Sequence, residues 1–219
     1  MSTSYSPKIV TDGLVLALDA GNRKSYAGSG TIWNDLSGNN NTGTLSNSPT
    51  FTDANNGSFT FNGTNSVQTA VNIVCTAMTI LMFIKRNGTQ ISNAGLTFNR
   101  GTSVTGLNFY GLNNTLSYHW NNDASTYNFA SNLLIPDNVW SMVGMSVTST
   151  AATLYVNMES ATNINAHAST TIDNLRIAVD TDSGRRFTGN IATTLLYNKA
   201  LSPSEVLQNF NATRNRFGV

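Results

Sequence analysis

The sequence predicts an all-β fold, a sandwich or barrel of short antiparallel strands closed by a single C-terminal helix. Three observations carry that expectation. Strand-like apolar runs recur at short intervals, from "GLVLALDA" (13–20) to "NIATTLLY" (190–197). Between them lie "GNNNTG", "ANNG", "NGTN" and "DTDSG", clusters whose Asn and Gly tolerate the positive φ of tight turns. Only "LSPSEVLQNFNA" (201–212) carries helix punctuation. A chain of 219 residues buries roughly 70% of its unfolded surface without staples. No repeat, low-complexity tract or linker interrupts it, so residues 1–219 are expected to form one domain.

In the first run Leu14, Leu16 and Leu18 alternate onto one face. Strands are then expected at 58–63, 67–74, 78–86, 95–100, 106–111, 116–121, 139–147, 152–158, 175–179 and 190–197. The run 78–86, "MTILMFIKR", differs from the others. Met78, Ile80, Met82 and Ile84 share one face, yet Leu81 and Phe83 make the other face apolar too. A sheet with one face in water alternates apolar and polar residues, so a second layer or a partner must cover this strand. Leu81 and Phe83, with Met158 in a hairpin, are therefore candidate assembly-interface residues. The competing reading is coverage by the chain's own loops or helix.

The helix signal is specific. Ser202 is the expected N-cap, Pro203 stands at the first helical position and Glu205 completes a capping box. Val206, Leu207 and Phe210 form a stripe with which the helix docks on the sheets.

Composition narrows function. Charged residues are 11% and net charge is +1. No basic cluster supports nucleic-acid binding, and Arg185-Arg186, Arg214 and Arg216 read as solvated or structural. The lone Cys75 reads as a small buried hydrophobe. The N-terminal stretch lacks a signal-peptide pattern, and no segment is long and apolar enough to span a bilayer. Synthesis in the cytoplasm is expected, although the Asn/Thr/Ser-rich surface suits work outside cells. A virion protein, made inside and used outside, reconciles the two.

Catalytic chemistry is poorly supported. Glycosidases use paired carboxylates, and the two glutamates, Glu159 in an expected hairpin turn and Glu205 in the helix cap, are unsuited. The two histidines, His119 at a strand end on the surface and His167 in a loop, have no nucleophile elbow near them. No enzyme and no catalytic residue is expected. Transition-metal spacing is lacking. Asp180, Thr181 and Asp182, or Asp35 with Asn39–Asn41, could offer oxygens to calcium, but turn chemistry is the simpler reading and no cofactor is expected. Binding is what remains. Tyr118, Trp120, Asn121, Asn122, Asp123 and Tyr127 combine aromatic surface with amides and a carboxylate, a composition suited to glycan contact. The competing reading places Trp120 in the core.

Several segments together carry a family likeness: "IVTDGLVLALDAGNRKSY", "WNDLSGNNNTGTL", "FTFNGTNSV", "MTILMFIKR", "VWSMVGMSVTSTAATLYVNM" and "FTGNIATTLLYNKALSPSEVLQNFNATRNRFG". Over nearly its whole length the chain resembles concanavalin A-like, laminin-G-like jelly-roll domains, above all those of tailed-phage structural proteins. The first and last segments are the most specific. Three positions depart from the family pattern: Asn62 stands where Asp is usual, Phe83 where Trp is usual, and Met158 where Gly is usual. The resemblance implies a two-sheet antiparallel sandwich with one short C-terminal helix. It implies a non-enzymatic virion structural protein, an outer capsid decoration protein that self-associates, contacts other virion proteins and can touch host glycans. The alternatives are a free or tail-associated carbohydrate-binding adhesin and, behind it, a glycoside hydrolase.

Overall fold

The computed structural model describes residues 7–180 and 184–219; Thr181 and Asp182 of the calcium candidate lie outside the described residues. In chain order the first half holds β1 (Leu14–Asp19), β2 (Ile32–Trp33), β3 (Gly43–Ser46), β4 (Thr50–Thr52), β5 (Ser58–Asn62), β6 (Ser66–Thr69), β7 (Ile73–Cys75), β8 (Met78–Arg86), β9 (Gly95–Arg100) and β10 (Val104–Tyr110). The second half holds β11 (Thr115–His119), a one-turn helix α1 (Ala124–Tyr127), β12 (Trp140–Val147), β13 (Ala151–Val156), β14 (Glu159–Ile164), β15 (Thr170–Ile172), β16 (Leu175–Ile177), β17 (Thr188–Tyr197) and α2 (Pro203–Thr213).

The strands build two large antiparallel sheets packed face to face. The first runs β14-β13-β12-β8-β17-β5-β4, with β1 also pairing to β17. The second runs β11-β10-β9-β16-β6-β3-β2, and β15 and β7 form a small ribbon. The sandwich reading therefore holds, and the barrel does not. Turn chemistry follows the sequence: of thirteen described non-glycine residues with positive φ, eleven are asparagines. Asn62, at the usual Asp position, accepts from both the N–H and the hydroxyl of Thr64 and so fastens its own turn.

The main core lies between the sheets. Met78, Ile80, Met82 and Ile84 of β8, with Phe59 of the same sheet, face Trp33, Leu96, Phe109 and Leu116 of the other within one buried cluster. Leu16 and Leu18 join it, but Leu14 does not. A bulge at Val15 shifts the register between Leu14 and Leu16 and places Leu14 against the opposite layer. Cys75 is buried, as expected, and burial pushes its thiol pKa up to about 11.

A second core lies on the outer face of the first sheet. Here Leu81, Phe83, Trp140 and Met142 meet Val206 and Phe210 of α2, and Phe217 beyond it. Phe83 stacks on Phe217 with ring centroids 4.7 Å apart. This corrects the expectation that Leu81 and Phe83 form an assembly interface: the chain covers them with its own closing helix. Met158 stays at the β13–β14 turn, 37% exposed. Its neighbour Asn157 supplies the left-handed residue, φ 54°, and accepts from Met142 N–H at 3.0 Å.

The helix begins as the sequence predicts. Ser202 accepts from Glu205 N–H, and Glu205 Oε2 accepts from Ser202 N–H at 2.8 Å. The stripe needs one correction: Leu207 is exposed, and Asn209 takes the buried place beside Val206 and Phe210. Arg216 is structural, pairing with Asp19 at 2.6 Å and donating to Asn55 O at 2.7 Å.

Candidate functional site

The outer face of the second sheet is set by alternation and one bulge. Leu107 and Tyr118 pair across β10 and β11 and face the main core, so their neighbours Gly106 and His119 face outward. An extra residue at Leu96 shifts the β9–β10 register and sets Phe98 opposite Gly106, on that same outer face. Gly106 is required there: a Cβ would come within 2.5 Å of the Phe98 ring. A layer of rings follows. Phe98 meets His119 edge to face at 5.0 Å, and Tyr127 of α1 stacks on His119 at 5.1 Å. The Arg100 guanidinium lies over Phe98, 5.1 Å from its centroid.

Asp180 anchors the charged part of this layer. Its buried carboxylate takes Arg100 Nε at 2.7 Å on one oxygen and Arg185 Nη1 at 3.2 Å on the other. Ala178, just before it, holds the left-handed φ of 65°, an uncommon conformation for a residue with a Cβ. From that bend Asp180 N–H reaches Arg185 O at 2.9 Å. Two guanidiniums thus share one carboxylate.

Above these groups opens a cleft of about 550 Å³, within the usual range for small-ligand sites. Arg100, Arg185, Tyr110, Tyr127 and the amides of Asn93, Asn122 and Asn128 contribute to its wall. His119 also lines it, although only 8% exposed, and its Nδ1 has no hydrogen-bond partner. Burial pushes the His119 pKa down to about 4; Asp180 opposes this shift, and Arg100 and Arg185 reinforce it. The imidazole is therefore neutral at neutral pH. This corrects the expectation of a surface histidine, because Tyr127 covers the ring.

The six residues expected to contact glycan divide into two groups. Asn122 and Tyr127 line the cleft. Tyr118 and Trp120 are buried in the main core, as period-two alternation about His119 requires, and glycan contact by either is corrected. Tyr118 OH instead meets His167 Nε2 at 3.0 Å, and Trp120 Nε1 donates to Ala168 O at 2.7 Å. Asn121 is committed to the same loop, donating to Ser169 O at 3.0 Å. Asp123 caps α1, accepting from Ser125 N–H at 2.9 Å.

The oxygen-rich turns are likewise occupied by protein donors. Asp35 Oδ1 accepts from Ala17 N–H and Ser37 N–H, and Oδ2 from Ser37 Oγ and Asn41 N–H. Asp180 is neutralised by arginine. These carboxylates therefore act as loop staples. The sequence reading missed Arg100, His119 and Arg185 as site residues; His119 and Tyr127 sit in the flagged stretch, but Arg100 comes from the end of β9 and Arg185 from the segment before β17.

The fold recurs in solved structures. Domain 4 of AbnA, a GH43 extracellular arabinanase from Geobacillus stearothermophilus in complex with arabinotriose, is 16% identical with a TM-score of 0.70; the match covers 91% of this chain and 98% of that one. Trypanosoma rangeli sialidase gives 14% identity and a TM-score of 0.67 over 97% of this chain and 36% of the sialidase. The binding domain of Paraclostridial Mosquitocidal Protein 1 gives 16% identity and 0.65, with 92% of this chain and 52% of that one covered. No curated protein matches by sequence. A family model does match, over residues 61–207, and the chain belongs to the concanavalin A-like lectin/glucanases superfamily.

Proposed function

We propose that the protein is a non-enzymatic glycan-binding domain and that the cleft over β9, β10 and β11 is its binding site. One observation carries this reading: the cleft combines tyrosine surface, side-chain amides and guanidinium donors, and no carboxylate among the described residues lines it. Aromatic faces suit sugar C–H groups, and amides and guanidiniums suit hydroxyls and ring substituents. Glycoside hydrolysis instead needs two carboxyl groups about 5 to 9.5 Å apart across the bond. Asp180, behind the cleft wall, is buried and held by two arginines. Glu205 is spent in the helix cap, and Glu159 opens an edge strand. Solved structures of similar fold, among them an arabinanase domain in complex with arabinotriose and the binding domain of a mosquitocidal protein, support the reading. A glycan array tests it: specific binding that Tyr127→Ala abolishes is expected, and an array with no binding, or glycan turnover, overturns it.

The second reading concerns setting. The likeness of the first and last segments to tailed-phage structural proteins supports a virion location, with capsid decoration favoured over a fibre because the sequence has no heptads or β-helix repeat. With Leu81 and Phe83 covered by α2, that reading rests on the likeness alone. Mass spectrometry of purified particles separates a virion component from a free adhesin.

A further inference from the structure

The charge balance of the cleft narrows its ligand, on the premise that the cleft binds glycan. Arg100 and Arg185 carry two positive charges, and Asp180 returns one. His119 is neutral at neutral pH and adds none. The described residues that line the cleft include no acid, so among them the two guanidiniums, sharing the single carboxylate buried behind the wall, leave a surplus positive charge. Their exposure differs from that of the carboxylate they share. Asp180 is fully buried behind them, whereas the Arg185 side chain is 43% exposed at the cleft. Asp180 engages Nε of Arg100 and Nη1 of Arg185, one nitrogen of each fork. A guanidinium offers five N–H donors, so each arginine can still present an edge to a ligand. A second observation at the same place is the unpartnered Nδ1 of His119, a buried polar atom in the cleft lining.

We propose that the cleft selects acidic glycans, binding a sugar carboxylate on the paired Arg100 and Arg185 while the sugar ring lies against Tyr127. The buried Asp180 holds the two guanidiniums in place before the ligand arrives, so little side-chain entropy is lost on binding. Two planar forks matched to a planar carboxylate favour uronate-type sugars over sulfated ones.

The test is titration calorimetry at low salt with three oligosaccharides of equal length: an oligogalacturonate, the neutral oligogalactose and a sulfated oligogalactose. Carboxylate binding at least tenfold tighter than both others is expected, and it should weaken as salt rises. Arg185→Gln should lower oligogalacturonate affinity about tenfold, a larger loss than it causes in neutral oligogalactose binding. Arg185 is the chosen site because Arg100 still neutralises Asp180, and an unchanged melting temperature confirms the fold. Arg185→Lys, which keeps the charge and loses the fork, should fall between the two. Equal affinity for acidic and neutral oligomers overturns the charge selection and leaves the glycan reading standing. Tightest binding of the sulfated oligomer overturns the carboxylate assignment. Binding to none of the three, together with a blank array, removes the glycan reading itself.

Discussion

The side-chain oxygen of Asn209 accepts a hydrogen bond from the backbone N–H of Val10 at 2.9 Å, joining α2 to the segment that precedes β1. Tyr197 OH donates to the same oxygen at 3.3 Å and also to Val10 O at 3.0 Å. All three residues are buried. Asn209→Ala should leave the buried Val10 N–H without its acceptor, while Tyr197 OH keeps Val10 O, and cost about 2 kcal/mol. Urea unfolding measures the loss; a change below about 0.5 kcal/mol would remove Asn209 as the clasp.

Phe83 lies between β8 and the closing helix, stacked on Phe217 and 6.2 Å from the Phe210 ring. Phe83→Ala should cost about 3 to 5 kcal/mol. Ser202→Ala should cost only about 1 kcal/mol, because it removes the cap but keeps the packing. Equal losses would show that the cap, and not the ring layer, sets how well the helix docks. Removal of residues 203–219 should drive aggregation, seen by light scattering, because Leu81 and Phe83 then face water.

Tyr127 stacks on His119 at the edge of the cleft, on a helix of one turn. Tyr127→Ala should abolish glycan binding yet lower stability by no more than about 1 kcal/mol. Paired calorimetry and thermal melts separate the two effects.

His119 provides a pH signature. Its folded pKa, about 4, lies below the ordinary histidine value of 6.5, so protons bind the unfolded chain more readily. The corresponding stability is fully present above pH 6.5 and is lost as pH falls toward 4, about 3 kcal/mol in all. Burial lowers the His167 pKa as well, and it contributes with the same sign. His119→Gln should therefore flatten the unfolding free energy between pH 6.5 and 4, compared with the parent in the same buffers. An unchanged slope would mean that the ring is hydrated.

The long strands were legible because apolar residues fill them; β8, for example, runs over the nine residues the pattern marks. The short strands were not. β3 is "GTLS", β4 is "TFT" and β14 is "ESATNI", and backbone pairing rather than an apolar face places them. Doubly apolar β8 did signal a covering layer, but sequence pattern alone does not say whether that layer is the chain's own. In the candidate site, "SYHWNND" drew attention to the right strand and to the wrong parity. Once Tyr118 is assigned to the core, Trp120 follows it and His119 must face out. Arg100, Asp180 and Arg185 had no local signal, because their meeting depends on β9 and β16 being neighbours in the sheet.

The position of β17 has a consequence for how the protein is made. This strand lies inside the first sheet, with β8 along one edge and both β5 and β1 along the other, and the helix that covers Phe83 follows it. Synthesis therefore delivers the central strand and its cover after most of their partners. Between the appearance of β8 and that of Phe217 a ribosome adding about 5 to 20 residues per second takes roughly 7 to 26 s. Until β17 is made β8 lacks that neighbour, and until Phe217 is made its outer face lacks its full cover. The nascent chain thus carries a strand that is apolar on both faces before the elements that cover it have been made.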